Sequence, residues 1–171
     1  MNTTLFVVAG GPLGSPAHFL DCWERCGRPP LICADGGARH LYPLDLVPEL
    51  IIGDMDSLEP DLQEHFTRAG SRFLRYPAAK DETDTQLALE YACRAGAEEI
   101  RIYGAMGRRI DHTLGNISLL AVALKHGIRT VLVDETCEVF VVRGRHEVLG
   151  EAGQTLSIFP FGQRAEGITL E

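Results

Sequence analysis

The strongest constraint on the fold is an alternation running through the first three quarters of the chain, in which short apolar runs are each followed by a longer amphipathic stretch. Residues 4–9, 30–34, 50–52, 71–74, 99–103 and 129–133 read as strands, and residues 15–26, 37–42, 60–69, 82–95 and 112–126 as helices. In 82–95, Leu87, Tyr91 and Arg94 fall near one face with Ala88, Ala92 and Ala95 beside them. Asp81 is the expected N-cap of that helix and Gly96 its C-cap. Pro60 suits the first turn of its own helix. Strands separated by helices require crossover connections, so a mostly parallel sheet covered on both faces is expected. This predicts an α/β fold, a Rossmann-like three-layer domain over residues 1–134.

After Asp134 the helical period disappears. Residues 138–143, 145–149 and 154–159 read as short strands, and Arg143-Gly144-Arg145 suits a tight hairpin. So few strands rarely stand alone. Residues 135–171 are therefore read as the start of an incomplete antiparallel β domain, one that packs on the α/β part, pairs with another subunit or belongs to a longer chain.

Ligands of parallel sheets bind outside the carboxyl ends of the strands, where the βα loops gather. Here those loops are 10–14, 35–37, 53–57, 76–81 and 104–111, and they hold most of the chemistry-bearing residues. Gly53-Asp54-Met55-Asp56-Ser57 sets two carboxylates two residues apart, with a glycine that lets a ligand approach the backbone. An Asx turn with a helix cap would account for one of those aspartates but not both. Lys80-Asp81-Glu82-Thr83-Asp84 opens a helix; such an N-terminus favours phosphate, although acidic residues and Thr are also ordinary there. Gly107-Arg108-Arg109-Ile110-Asp111-His112 offers guanidinium groups for bidentate phosphate contacts, and Asn116 follows one turn later. Asp111 could hold a ribose hydroxyl, an adenine edge or Arg109, while His112 is either a phosphate donor or a partner of its own loop. Carboxylates with phosphate-binding cations are what Mg²⁺ and polyphosphate chemistry needs, since Mg²⁺ takes oxygen ligands and keeps company with substrate phosphates. Asp35-Gly36-Gly37 resembles a nucleotide-contacting turn. Gly10-Gly11-Pro12-Leu13-Gly14 matches neither the dinucleotide fingerprint nor the Walker pattern.

The net charge of −8, without a basic run or stripe, argues against nucleic acid and anionic membranes as partners. No apolar run approaches a membrane span, and the start lacks a basic segment of the secretory kind. The five cysteines are odd in number and contain no Cys-x-x-Cys pair, which suits reduced thiols in a cytoplasmic protein.

Taken in order, Asp35-Gly36-Gly37, Gly53-Asp54-Met55-Asp56-Ser57, Lys80-Asp81-Glu82-Thr83-Asp84 and Gly107-Arg108-Arg109-Ile110-Asp111-His112 with Asn116 resemble the thiamine pyrophosphokinase family from residue 4 to about residue 160. The resemblance implies an α/β domain that binds Mg-ATP and a C-terminal β domain that helps to form the thiamine site across a homodimer. It implies pyrophosphoryl transfer from ATP to thiamine, giving thiamine diphosphate and AMP. Asp54, Asp56 and Asp84 match the family's metal-binding aspartates, and catalysis would rest on them and Arg109. Asp35, Gly37, Ser57, Lys80, Asp81, Thr83, Arg109, Asp111, His112 and Asn116 match positions around the nucleotide. The family often has Thr-Gly-Gly-Arg where Met106-Gly107-Arg108-Arg109 stands, exchanging a hydroxyl for a charge. It also continues past this point to a Gly-x-Ser-Asn-like segment near thiamine. Competing expectations are a pterin-alcohol pyrophosphokinase, a haloacid-dehalogenase-type phosphatase and a non-catalytic Mg-nucleotide binding module.

Overall fold

The computed structural model describes residues 3–107, 109–162 and 164–169. Seven strands form one sheet in the order β4-β3-β2-β1-β5-β6-β7: β1 Thr4–Val8, β2 Leu31–Ala34, β3 Leu50–Gly53, β4 Arg72–Arg75, β5 Glu99–Tyr103, β6 Arg129–Val133 and β7 Glu138–Phe140. The first six pair in parallel and β7 runs antiparallel to β6. The helices are α1 Pro16–Arg25, α2 Ala38–Leu41, α3 Pro60–Arg68, α4 Asp84–Arg94 and α5 Ile110–Lys125. Alternation along β1 shows why the sheet needs cover on both faces. Leu5 and Val7 point into a core with Leu87, Ala88 and Leu89 of α4 and Leu119, Leu120 and Ala123 of α5. Phe6 and Val8 point the other way, against Phe19 of α1, Leu41 of α2 and Phe66 of α3. Phe19 stacks edge-on to Tyr103 at 5.0 Å, pinning α1 across β1 and β5.

Two sequence expectations are corrected. Helix α4 begins at Asp84, and its cap is Thr83, whose hydroxyl accepts the Gln86 N–H at 3.2 Å; Asp81 lies outside the helix. A hydroxyl three residues before a free N–H forms this cap more directly than a carboxylate five residues away. Secondly, residues 145–149 and 154–159 form no strand, and every described residue from 142 to 169 is exposed without helix or ladder. Alternation alone cannot make a strand when no neighbour supplies the other half of the hydrogen bonds. Among the described residues, only β7 realises the expected antiparallel pairing.

Candidate active site

Pairing of Ala34 with Ile52 brings the ends of β2 and β3 side by side, so the residues that follow them share one edge of the sheet. Asp35 opens a 3-10 turn after β2, Asp54 follows β3, and Asp84 starts α4. One carboxylate oxygen of each lies within 4.8 Å of the others. Gly53 makes this gathering possible: a Cβ there would meet the Asp35 Cβ at 2.7 Å and the Asp84 Cγ at 3.0 Å.

Asp35 is 3% exposed. Its Oδ2 accepts the Ser57 N–H at 3.1 Å, while its Oδ1 is buried without a hydrogen-bond partner. Burial pushes its carboxyl above the usual carboxylate range, against the Ser57 bonds and with the charges of Asp84 and Asp54. Asp84 Oδ1 is also buried without a hydrogen bond, though the Lys80 ammonium stands 3.1 Å from it. That separation is an ion pair lacking hydrogen-bond alignment. Oxygen-only, with Asp35 buried and one oxygen each of Asp35 and Asp84 lacking a hydrogen bond, the three carboxylates suit a hard divalent cation such as Mg²⁺.

Asp56, expected among the ligands, stands beside this trio, with Oδ1 accepting the Ser57 hydroxyl at 2.9 Å. The Asp54 Oδ1 accepts the Asp56 N–H at 3.2 Å, so the loop is an Asx turn that leaves Oδ2 for other work. The Ser57 hydroxyl hydrogen bond holds Asp56 below the ordinary carboxylate range, with smaller help from Asp54, Asp35 and Lys80. Thr83 spends its hydroxyl on the cap, and Asp81 is exposed on the preceding loop.

A second feature lies where β1 and β5 part. Gly10, Gly11, Pro12, Gly104, Met106, Gly107, Arg109, His112 and Thr113 line a groove of about 360 Å³. Its floor is backbone packed on backbone, since a Cβ on Gly11 would meet the Gly104 carbonyl oxygen at 2.5 Å. Arg109 and Asp111 form an exposed ion pair, with Arg109 Nε 3.2 Å from Oδ1. Of the three partners open to Asp111, the structure records Arg109. Asn116 donates to the Ala105 carbonyl at 2.7 Å and so fixes the loop after β5. Arg108 lies outside the described residues.

His40 escaped the sequence reading. Its Nε2 is 2.7 Å from the Gly11 carbonyl oxygen, which ties α2 to the groove wall, and burial lowers its pKa so that the neutral imidazole donates there. Nothing in its local sequence signals a contact 29 residues away.

Similar chains are known elsewhere. A family model described as thiamin pyrophosphokinase, catalytic domain, matches residues 21–132. This chain belongs to the thiamin pyrophosphokinase family. A thiamine pyrophosphokinase of Bacillus subtilis (strain 168) is 30% identical over 169 residues, covering 98% of this chain and 78% of the relative. Thiamine pyrophosphokinase 1 of Oryza sativa subsp. japonica is 30% identical over 145 residues, covering 72% of this chain and 53% of the relative. The crystal structure of thiamine pyrophosphokinase from Bacillus subtilis superposes with a TM-score of 0.65 at 32% identity, covering 77% of this chain and 61% of that one. The chain thus spans about half of the rice relative and about three fifths of that crystal structure. The family supports the pyrophosphokinase reading; neither phosphatase nor pterin chemistry gains support from these similarities.

Proposed function

We propose that the chain transfers a pyrophosphoryl group from Mg-ATP to the hydroxyl of thiamine, giving thiamine diphosphate and AMP. The observation that carries this reading is the trio of Asp35 and Asp54 at adjoining strand ends with Asp84 at the start of α4, beside the Lys80 ammonium. These three residues would hold Mg²⁺, with Asp56 within reach of the same phosphates. Bound there, Mg²⁺ would neutralise charge on phosphate oxygens. Such transfers ask the protein mainly for positioning and charge. Lys80 supplies a point charge, the free N–H groups of α4 face incoming phosphate, and Arg109 brings a guanidinium to the rim of the groove. The glycines of the groove let phosphate or ribose approach backbone N–H groups. The thiamine hydroxyl would attack the β-phosphorus, expelling AMP.

The acceptor half would come from residues 135–171, set apart from a catalytic unit at 1–134, and would be completed across a homodimer. Supporting this is a run of exposed large apolar side chains, among them Leu149, Phe159 and Ile168, which water does not favour. A reducing, cytoplasmic setting fits the five free cysteines.

Asp54→Ala tests the assignment. It should lower thiamine diphosphate formation about a hundredfold to a thousandfold, the scale of losing one charge-stabilising group, while circular dichroism and the melting curve stay those of the wild type. Unchanged turnover would sink the proposal.

A further inference from the structure

Lys80 lies on the loop before α4, yet its side chain is only 11% exposed. Its Nζ stands 3.1 Å from Asp84 Oδ1 and 4.0 Å from Asp54 Oδ2, and is 3.3 Å from the Pro77 carbonyl oxygen. The third carboxylate of the group, Asp35, keeps a buried Oδ1 with no hydrogen-bond partner. One ammonium therefore pairs with two of the three carboxylates and brings a positive charge into the trio. Lysine is a compact point charge on a flexible stem, so it can leave such a position without disturbing the fold.

We propose that Lys80 is a tethered resident cation of the Asp35–Asp54–Asp84 trio, exchanged for the divalent metal only when a polyphosphate arrives. The inference rests on the Mg-nucleotide reading above. A free divalent cation entering the trio meets a like charge a few ångströms away, and repulsion at that range weakens binding about tenfold or more even in a wet site. A triphosphate at the N-terminus of α4 gives the ammonium oxygen partners of its own and draws it off the carboxylates. Metal and nucleotide are then taken up together, and free metal is held weakly. Lys80 on this account positions the metal–phosphate pair by vacating the carboxylates.

The test is metal binding by the full chain, followed with Mn²⁺ by electron paramagnetic resonance and with Mg²⁺ by calorimetry. Wild type, Lys80→Met and Lys80→Gln are compared with and without a non-hydrolysable ATP analogue, after circular dichroism confirms that each is folded. Without nucleotide, both variants should bind free metal about tenfold more tightly than the wild type. The analogue should tighten metal binding strongly in the wild type and much less in the variants, a difference in coupling between two ligands. Variants that bind free metal no more tightly than the wild type, or that show the same coupling, overturn the exchange and leave the Mg-nucleotide reading intact. A wild type that binds no metal even with the analogue overturns that reading, and the exchange with it.

Discussion

Gly53 governs the site at the scale of single residues. Any side chain there would push into Asp35 and Asp84, so the trio exists only because this position carries no Cβ. Arg109 and Asp111 show a different residue-scale effect. The Arg109 hydrogen bond, aided by the His112 N–H, pulls the Asp111 carboxyl down to about 2 from its ordinary 3.8. A carboxylate whose pKa is depressed in the folded state adds stability above its unfolded value and loses it as pH falls through the folded one. The contribution of this pair is thus complete above about pH 4 and fades towards pH 2. Carboxyl carbon NMR should place the Asp111 midpoint near 2, and Arg109→Gln should return it towards 3.8. A midpoint already ordinary in the wild type would show that the pair does not persist in solution.

Elements meet most tightly where the turn after β2 passes under β1. A Cβ on Gly37 would sit 2.0 Å from the Val8 carbonyl oxygen, with main chain on both sides and nothing that can rotate away. Gly37→Ala should therefore destabilise the protein by about 3 kcal/mol, the cost of forcing atoms into a closed contact. Urea unfolding measures this, and a loss below about 1 kcal/mol would mean that the turn shifts freely. The same turn carries Asp35 and, through His40, the groove wall, so nucleotide affinity should fall alongside stability.

For the molecule as a whole, the strand order decides what lies near what. The order reverses at β1, with β2 on one side and β5 on the other, and the groove opens there, as ligand sites do in open α/β sheets. A Cβ on Gly10 would lie 3.8 Å from the Gly36 backbone, so the groove adjoins the turn that bears Asp35. The described residues from 142 onwards contribute no buried side chain to this part. Deleting residues 143–171 should leave a cooperative unfolding transition with a midpoint within a few degrees of the parent, because little apolar burial is lost. Mg-ATP binding should survive in calorimetry while thiamine diphosphate formation disappears. Loss of nucleotide binding on truncation would place part of the donor site in the tail.

Local pattern was enough to find the elements, because strand and helix periods are written residue by residue. The six parallel strands and the position of each aspartate loop at a strand end follow from it. Asp54 was legible as a candidate ligand for that reason, and Asp84 through the family resemblance. Asp35 was legible only as a nucleotide-contacting turn: its place in the trio depends on β2 lying next to β3, which is a fact of sheet order and register. The same holds for Lys80 among the carboxylates and for His40 against Gly11. The cap of α4 went to Thr83 over Asp81 because hydrogen-bond reach, finer than any composition rule, selects it. Residues 145–149 and 154–159 have strand patterning without a paired strand, since a ladder belongs to two segments at once. By itself the sequence determined the elements, their alternation and the residue types available for Mg-ATP chemistry. Tertiary structure alone decided which carboxylates stand together, because that depends on which strand ends become neighbours.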